Sequence, residues 1–284
     1  MTLQPDESSR LMAVAEAAAR EVAPMLRAAF RSAMAVTTKR DAHDIVTAHD
    51  RASEVALSAH IRAAVPESTI VGEEGGRQGR GRVVWYVDPI DGTTNFARGL
   101  PTWCVSIAAD VDGALVAGVV HAPVTGETFR ADLSGAWLGD TPLPAGARAR
   151  EREAVLLTSF PVARHYAALG EAAFAPHRAL AEAFLSLRDP GTGALQLAWV
   201  AAGWADATLG FMTHPWDIAA GALILERAGG RFVALSRGAT LAAPQAADDY
   251  YGVGAGADYP TLDRVAREVS SRLPVRAAPE AADA

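Results

Sequence analysis

Apolar side chains recur at helical spacing through residues 9–35, at Leu11, Val14, Ala15, Ala18, Val22, Met25, Leu26 and Phe30. That period gathers them on one face and predicts an amphipathic helix opened by Ser8 or Ser9. A second helix is expected over about 51–65, after the polar Thr47 to Asp50 and before Pro66, which cannot continue it. Thr69 to Gly72 reads as a short buried strand that ends at Glu73-Glu74. Gly75 to Gly81, rich in Gly and Arg, is expected to be loop. Val83 to Val87 is a continuous run of β-favouring residues and predicts a central strand ending at Asp88. Thr93 to Phe96 then starts a short helix. Residues 103–109 and 114–120 predict two antiparallel strands around an Asp112-Gly113 turn, with Thr128 to Ala131 extending the meander.

The clearest break is Pro142, Pro144 and Gly146 followed by Arg148, Arg150 and Arg152. It suggests an N-terminal part over 1–147, a C-terminal part over 148–273 and a frayed tail over 274–284. The second part predicts a strand at Val155 to Leu157, helix through most of 164–186, a helix near 193–202 and a strand at Ala207 to Leu209. A helix from Trp216 to Ala228 is closed by Gly229-Gly230. A strand at Tyr251 to Gly254 and a helix over 260–273 follow. Strands mixed with layered helices give an α+β or α/β class, its sheets covered by helices.

Composition narrows the function. The chain has 284 residues, half of them hydrophobic, which is enough for a large core without staples. Its 26 basic and 33 acidic residues leave a net charge of −7, a poor match for general nucleic-acid binding or an anionic membrane. The single cysteine, Cys104, excludes an internal disulfide and a cysteine zinc site. With no signal-like start and no run of ~20 apolar residues, a cytoplasmic location is expected.

The acids are what carry chemistry. Glu73-Glu74 and Asp88/Asp91 follow buried strands, while Asp50 and Asp217 stand at helix starts. Carboxylates at strand ends converge at one sheet edge, where α/β folds put their sites. Held together, they repel one another unless a hard divalent cation such as Mg²⁺ balances them. In Asp88-Pro89-Ile90-Asp91-Gly92-Thr93-Thr94 the amides of Gly92, Thr93 and Thr94 open a helix, an arrangement that favours phosphate. One Asp-Gly pair alone would mean only a capped turn.

These segments resemble the inositol monophosphatase family. The resemblance rests on Asp44-Ile45-Val46-Thr47-Ala48-His49-Asp50, Gly72-Glu73-Glu74, Asp88 through Phe96, and Trp216-Asp217-Ile218-Ala219-Ala220-Gly221 continuing through Glu226 to Gly230. It implies a layered αβαβα sandwich and Mg²⁺-dependent, often lithium-sensitive hydrolysis of small phosphate monoesters, inositol 1-phosphate first among them, with two or three ions bound. It also implies a homodimer. By resemblance, Glu73, Asp88 and the Ile90 carbonyl hold a first Mg²⁺, and Asp88, Asp91 and Asp217 a second. Thr93 with Asp50 resembles the pair that orients and deprotonates the nucleophilic water, and Glu74 matches a helper acid. Gly92, Thr93 and Thr94 fall at the phosphate. Lys39 falls where the family has a lysine near it, and Thr192, in Arg188-Asp189-Pro190-Gly191-Thr192-Gly193, falls at the substrate.

Members acting on inositol 1-phosphate often carry a glutamate seven residues before the Trp-Asp aspartate; here that position is Gly210. Histidinol phosphate, sugar phosphates and nucleotide-derived phosphates therefore stay open as substrates, as does a regulatory binding role. The Thr93-Thr94 pair favours the inositol branch. Cys104, Trp103, Trp216 and His121 read as packing or structural residues, and His214 as a structural hydrogen-bonding residue near the site.

Overall fold

The computed structural model describes residues 5–38 and 45–275. Its first half runs α1 (Pro5–Ala29), β1 (Val36–Thr38), β2 (Ile45–Thr47), α2 (Ala48–Ala64), β3 (Ser68–Gly72), β4 (Gly76–Gln78), β5 (Val83–Asp91) and α3 (Thr93–Arg98). The meander β6 (Cys104–Val111), β7 (Ala114–Ala122), β8 (Glu127–Asp132), β9 (Gly135–Leu138) and β10 (Thr141–Pro142) follows. The second half runs β11 (Val155–Thr158), α4 (Ala163–Leu169), α5 (Phe174–Ala183), β12 (Ser186–Arg188), α6 (Gly193–Ala201), β13 (Ala207–Gly210) and α7 (Pro215–Arg227). It closes with β14 (Arg231–Ser236), β15 (Ala239–Leu241), β16 (Asp249–Val253) and α8 (Pro260–Ser270).

Two large sheets result. The first has the order β10-β9-β8-β7-β6-β5-β3-β4, antiparallel except for the parallel pair β3/β5. The second has the order β12-β11-β13-β16-β14-β15, with β11 parallel to both its neighbours. The period of two along β6 shows what covers the first sheet. Val105, Ile107 and Ala109 join the core under α1 and α2, whereas Cys104 and Ala108 join the core under α6 and α7. Ser106, facing α7, donates to the carbonyl of Trp216 at 3.0 Å. The second sheet repeats the pattern: Leu157 and Tyr250 pack inward toward α6 and α7, Leu156 and Tyr251 outward toward α5 and α8. The stack is therefore helix, sheet, helix, sheet, helix. The middle helices are buried all round, and residues 218–225 of α7 are all buried.

Several elements differ from the pattern read off the chain. α1 begins at Pro5, with Asp6 and Glu7 in its first turn, and ends where Arg31 enters the left-handed region at φ 63°. Ser8 does not cap it; its buried hydroxyl donates to the carbonyl of Val116 at 2.6 Å. Part of the expected loop at 75–81 is β4, an edge strand paired with β3. β5 does not stop at Asp88 but runs to Asp91 through a bulge. Asp88 faces Ser106 and Asp91 faces Cys104, so one extra residue is inserted between the two acids. β14 lies in a run, Phe232 to Leu235, too short for periodicity to distinguish strand from helix.

Candidate active site

Two strand ends and four helix starts meet at one edge of the first sheet. β3 delivers Glu73, and the bulge of β5 delivers Asp88 and Asp91. The first turns of four helices join them: Asp50 and Asp217 lie in those of α2 and α7, Thr93 opens α3 and bonds Asp50, and Ala194 N of α6 donates to Asp91.

Asp50 is fully buried in the first turn of α2. Its Oδ2 accepts from the amide and hydroxyl of Thr47 at 2.8 and 2.6 Å, the reciprocal cap that fixes the helix start. Its Oδ1 accepts from the Thr93 hydroxyl at 3.0 Å, joining α2 to α3 across 43 residues. The same hydroxyl lies 3.0 Å from the Ile90 carbonyl. Gly92 caps α3 at φ 94°, a conformation that favours glycine, and a Cβ there would meet the Thr102 and Gly191 carbonyls at 3.1 and 3.3 Å. Thr93 is half-buried and Thr94 exposed beside it.

Asp88 is buried, and Ile90 N donates to its Oδ1 at 2.9 Å. Burial, then the charges of Glu73, Asp91, Asp217 and Asp50, push its carboxyl well above the usual range. Asp91 is pushed up to about 7 by burial and by Asp217, against the opposing pull of its hydrogen bonds. Its Oδ2 accepts from the Thr192 hydroxyl and, at 2.7 Å, from Ala194 N at the start of α6. Asp217, in the first turn of α7, accepts from His214 N at 2.8 Å. These acids are close enough to resist ionising together. Among the described residues, no three Asp, Glu, His or Cys side chains are drawn in tightly enough to cage a metal ion as they stand. The donor chemistry nevertheless fits a hard divalent cation: every candidate ligand is a carboxylate or carbonyl oxygen, and the buried acids need a counter-charge.

The remaining candidates divide. Thr192 is buried, and its hydroxyl donates to Asp91 and accepts from Leu195 N, so it fixes an acid and caps α6. Glu74 has a nearly buried side chain, with Arg51 Nε 3.9 Å away. Lys39 lies outside the described residues. Arg188 donates to the Ser186 hydroxyl and the Leu187 carbonyl. Trp103 packs edge-on against Phe96, and His214 stacks on Trp216 at 4.7 Å. His121 is buried against the Thr128 hydroxyl at 2.9 Å. Cys104 is buried with Sγ 3.8 Å from Asp91 Oδ2, and burial pushes its thiol up.

Two residues escaped the sequence reading. Glu54, buried in α2, accepts from the amides of Glu74 and Gly75 at 2.8 and 2.7 Å and so fixes the turn that carries Glu73. Its trace in the sequence is the pair Gly72 and Gly75: a Cβ at either would strike its carboxylate. Tyr250 is the second. Gly210 is not an open gap, because Tyr250 lies directly across it, with a Cβ at 210 falling 2.8 Å from the ring Cζ and nearer still to Cε1.

Comparisons with known proteins place the chain in a family. Residues 7–271 match the model of the inositol monophosphatase family. "Nus factor SuhB" of Pseudomonas aeruginosa is 40% identical over 197 residues, 68% of this chain and 73% of that protein. The extragenic suppressor protein suhB of Bartonella henselae superposes with a TM-score of 0.78 at 27% identity, covering 92% of this chain and 98% of the other. An IMPase from Thermotoga maritima also gives 0.78, at 30% identity over 89% and 94% of the two chains. Fold and sequence converge: the chain belongs to the inositol monophosphatase family.

Proposed function

We propose that this protein is a Mg²⁺-dependent phosphatase of small phosphate monoesters, polyol phosphates such as inositol 1-phosphate above all. The observation that carries the reading is the hydrogen-bonded Thr93–Asp50 pair beside the buried, mutually repelling Asp88 and Asp91. Glu73, Asp88, Asp91, Asp217 and the Ile90 carbonyl would hold the metal. Bound there, Mg²⁺ supplies Lewis acidity and a more acidic water.

The chain's own groups do the rest. Thr93 Oγ is the proton station: it takes a proton from the attacking water as its own passes to Asp50 Oδ1. Asp50 keeps its aim because Thr47 holds its other oxygen. The amides of Gly92 and Thr93, at the positive end of α3, face the phosphate and stabilise charge developing on it. Asp91 holds its orientation through Thr192 and Ala194.

With Gly210 in place of an acid, selectivity for inositol 1-phosphate is relaxed. Histidinol phosphate, sugar phosphates and nucleotide-derived phosphates belong on the test panel. The experiment is phosphate release from that panel with Mg²⁺ and with chelator. Release that persists in chelator, or none with Mg²⁺, refutes the reading. Calcium, which prefers more ligands and looser geometry, should inhibit, and family membership points to inhibition by lithium.

The name Nus factor carried by the relatives supports a second reading, a regulatory binding role alongside catalysis. Its test is whether the purified protein co-sediments with transcription complexes.

A further inference from the structure

The short connection 211–214 joins β13 to α7 and so decides how Asp217 enters the acid cluster. Met212, within it, sits in the left-handed region at φ 56° without being a glycine. A residue with a Cβ rarely adopts that backbone, and where it does its surroundings hold it there.

What holds Met212 comes from a distant part of the chain. Its amide donates to Asp249 Oδ1 at 2.9 Å. The next amide, Thr213 N, donates to the Asp248 carbonyl at 2.8 Å, and the Thr213 hydroxyl donates to the same carbonyl at 3.2 Å. The start of β16 therefore clamps two successive amides of the turn. One residue further on, His214 N donates to Asp217 Oδ2 at 2.8 Å, and Asp217 N donates back to the His214 carbonyl at 3.1 Å. Asp249 and Asp217 are thus joined through the backbone of the turn.

Asp249 is 2% exposed and stands on the outer face of β16, the face of Tyr251 and Val253. Burial pushes its carboxyl up to about 6, against the pull of its hydrogen bonds from Ser270 and Met212. A carboxylate kept in such a place costs stability unless its oxygens are used. One of them is used on the residue whose backbone most needs holding.

We propose that Asp249 is a positioning residue for the acid cluster: it holds the left-handed turn at Met212 and, through it, aims the Asp217 carboxylate. This inference rests on the phosphatase reading above, in which Asp217 helps to hold Mg²⁺. Because Asp249 stands on the face of β16 turned away from α7, it acts on metal binding rather than on the chemical step.

The test measures the Mg²⁺ dissociation constant by calorimetry, with kcat at saturating Mg²⁺ and the melting temperature in chelator alongside. Asp249→Ala should weaken Mg²⁺ binding about tenfold, as loss of a group supporting a ligand commonly does, with kcat recovering once Mg²⁺ saturates. Asp249→Asn keeps an oxygen for the Met212 amide and should stay within about twofold of the wild type. Adding Met212→Gly to Asp249→Ala should recover part of the loss, because glycine adopts positive φ freely. Ser270→Ala removes the other donor to Asp249 and leaves the turn, so it should lower the melting temperature without moving the constant. If Asp249→Ala does not fold, Met212→Val puts a β-branched side chain into the same turn and should weaken Mg²⁺ binding likewise. A constant unchanged in Asp249→Ala, or in Met212→Val in its place, overturns this inference and leaves the phosphatase reading intact. So does a loss as large in Asp249→Asn or Ser270→Ala as in Asp249→Ala. A wild type that binds no Mg²⁺ overturns both.

Discussion

The carboxylate of Glu54 holds the amides of Glu74 and Gly75 and with them the direction in which Glu73 leaves β3. Glu54→Gln should keep the fold but weaken apparent Mg²⁺ affinity about tenfold or more, as loss of a supporting contact commonly does; a Mg²⁺ titration of phosphate release reads it directly. Gly210 gives a second expectation. Adding a glutamate there to improve inositol 1-phosphate fails on packing, because Tyr250 occupies the space. Gly210→Glu should cost about 1–3 kcal/mol by overpacking, and the loss should shrink when combined with Tyr250→Ala, measured by denaturant unfolding. The acids themselves were legible because each sits where an apolar run breaks. Glu54 was not, since one glutamate among helical residues carries no pattern. Thr192 was legible as a position but not in its role: only the fold shows that its hydroxyl is spent on Asp91.

The short helix α4 begins with a one-sided cap: the His165 ring accepts from Val162 N at 3.0 Å while packed against Phe160 and Phe211. Burial and the nearby Arg164 lower its pKa to about 4, from an ordinary value near 6.5. The unfolded chain therefore binds this proton first as pH falls. The stability His165 contributes is complete above about 6.5 and is lost as pH drops to about 4, by about 3 kcal/mol over that window. Melting temperatures of wild type and His165→Gln between pH 7 and 4 should show a flatter profile for the variant; parallel profiles would refute the assignment. Elements longer than a few residues were legible from period alone. β4 and β14 were not, because three paired residues or four apolar ones satisfy helix and strand equally. Nor was the bulge in β5, which depends on the register of β6 rather than on anything local.

Three cores hold the five layers together, and the middle one takes residues from both halves of the chain. α7 lies against β5 through β9 while its first turn carries Asp217, so packing of this layer and geometry of the acids are one problem. Gly118 on β7 marks the closest approach: a Cβ there would sit 2.9 Å from the Ala220 carbonyl. Gly118→Ala should push α7 outward, costing about 1–3 kcal/mol in denaturant unfolding and weakening Mg²⁺ affinity alongside. The layered class was legible in the alternation of strand and helix signals. The order of strands was not, since it is set by which faces find each other. What the whole arrangement produces is a buried acid cluster that a divalent cation must balance, and Asp88 lies at its centre, feeling four other acids. Phosphate release by Asp88→Asn with saturating Mg²⁺, recorded with its melting temperature in chelator, tests this most directly. We expect kcat/KM to fall at least about a hundredfold. The metal-free melting temperature should hold or rise, because Asn removes a repelled buried charge. Turnover near the wild-type level, or wild-type turnover that survives full chelation, would contradict the account.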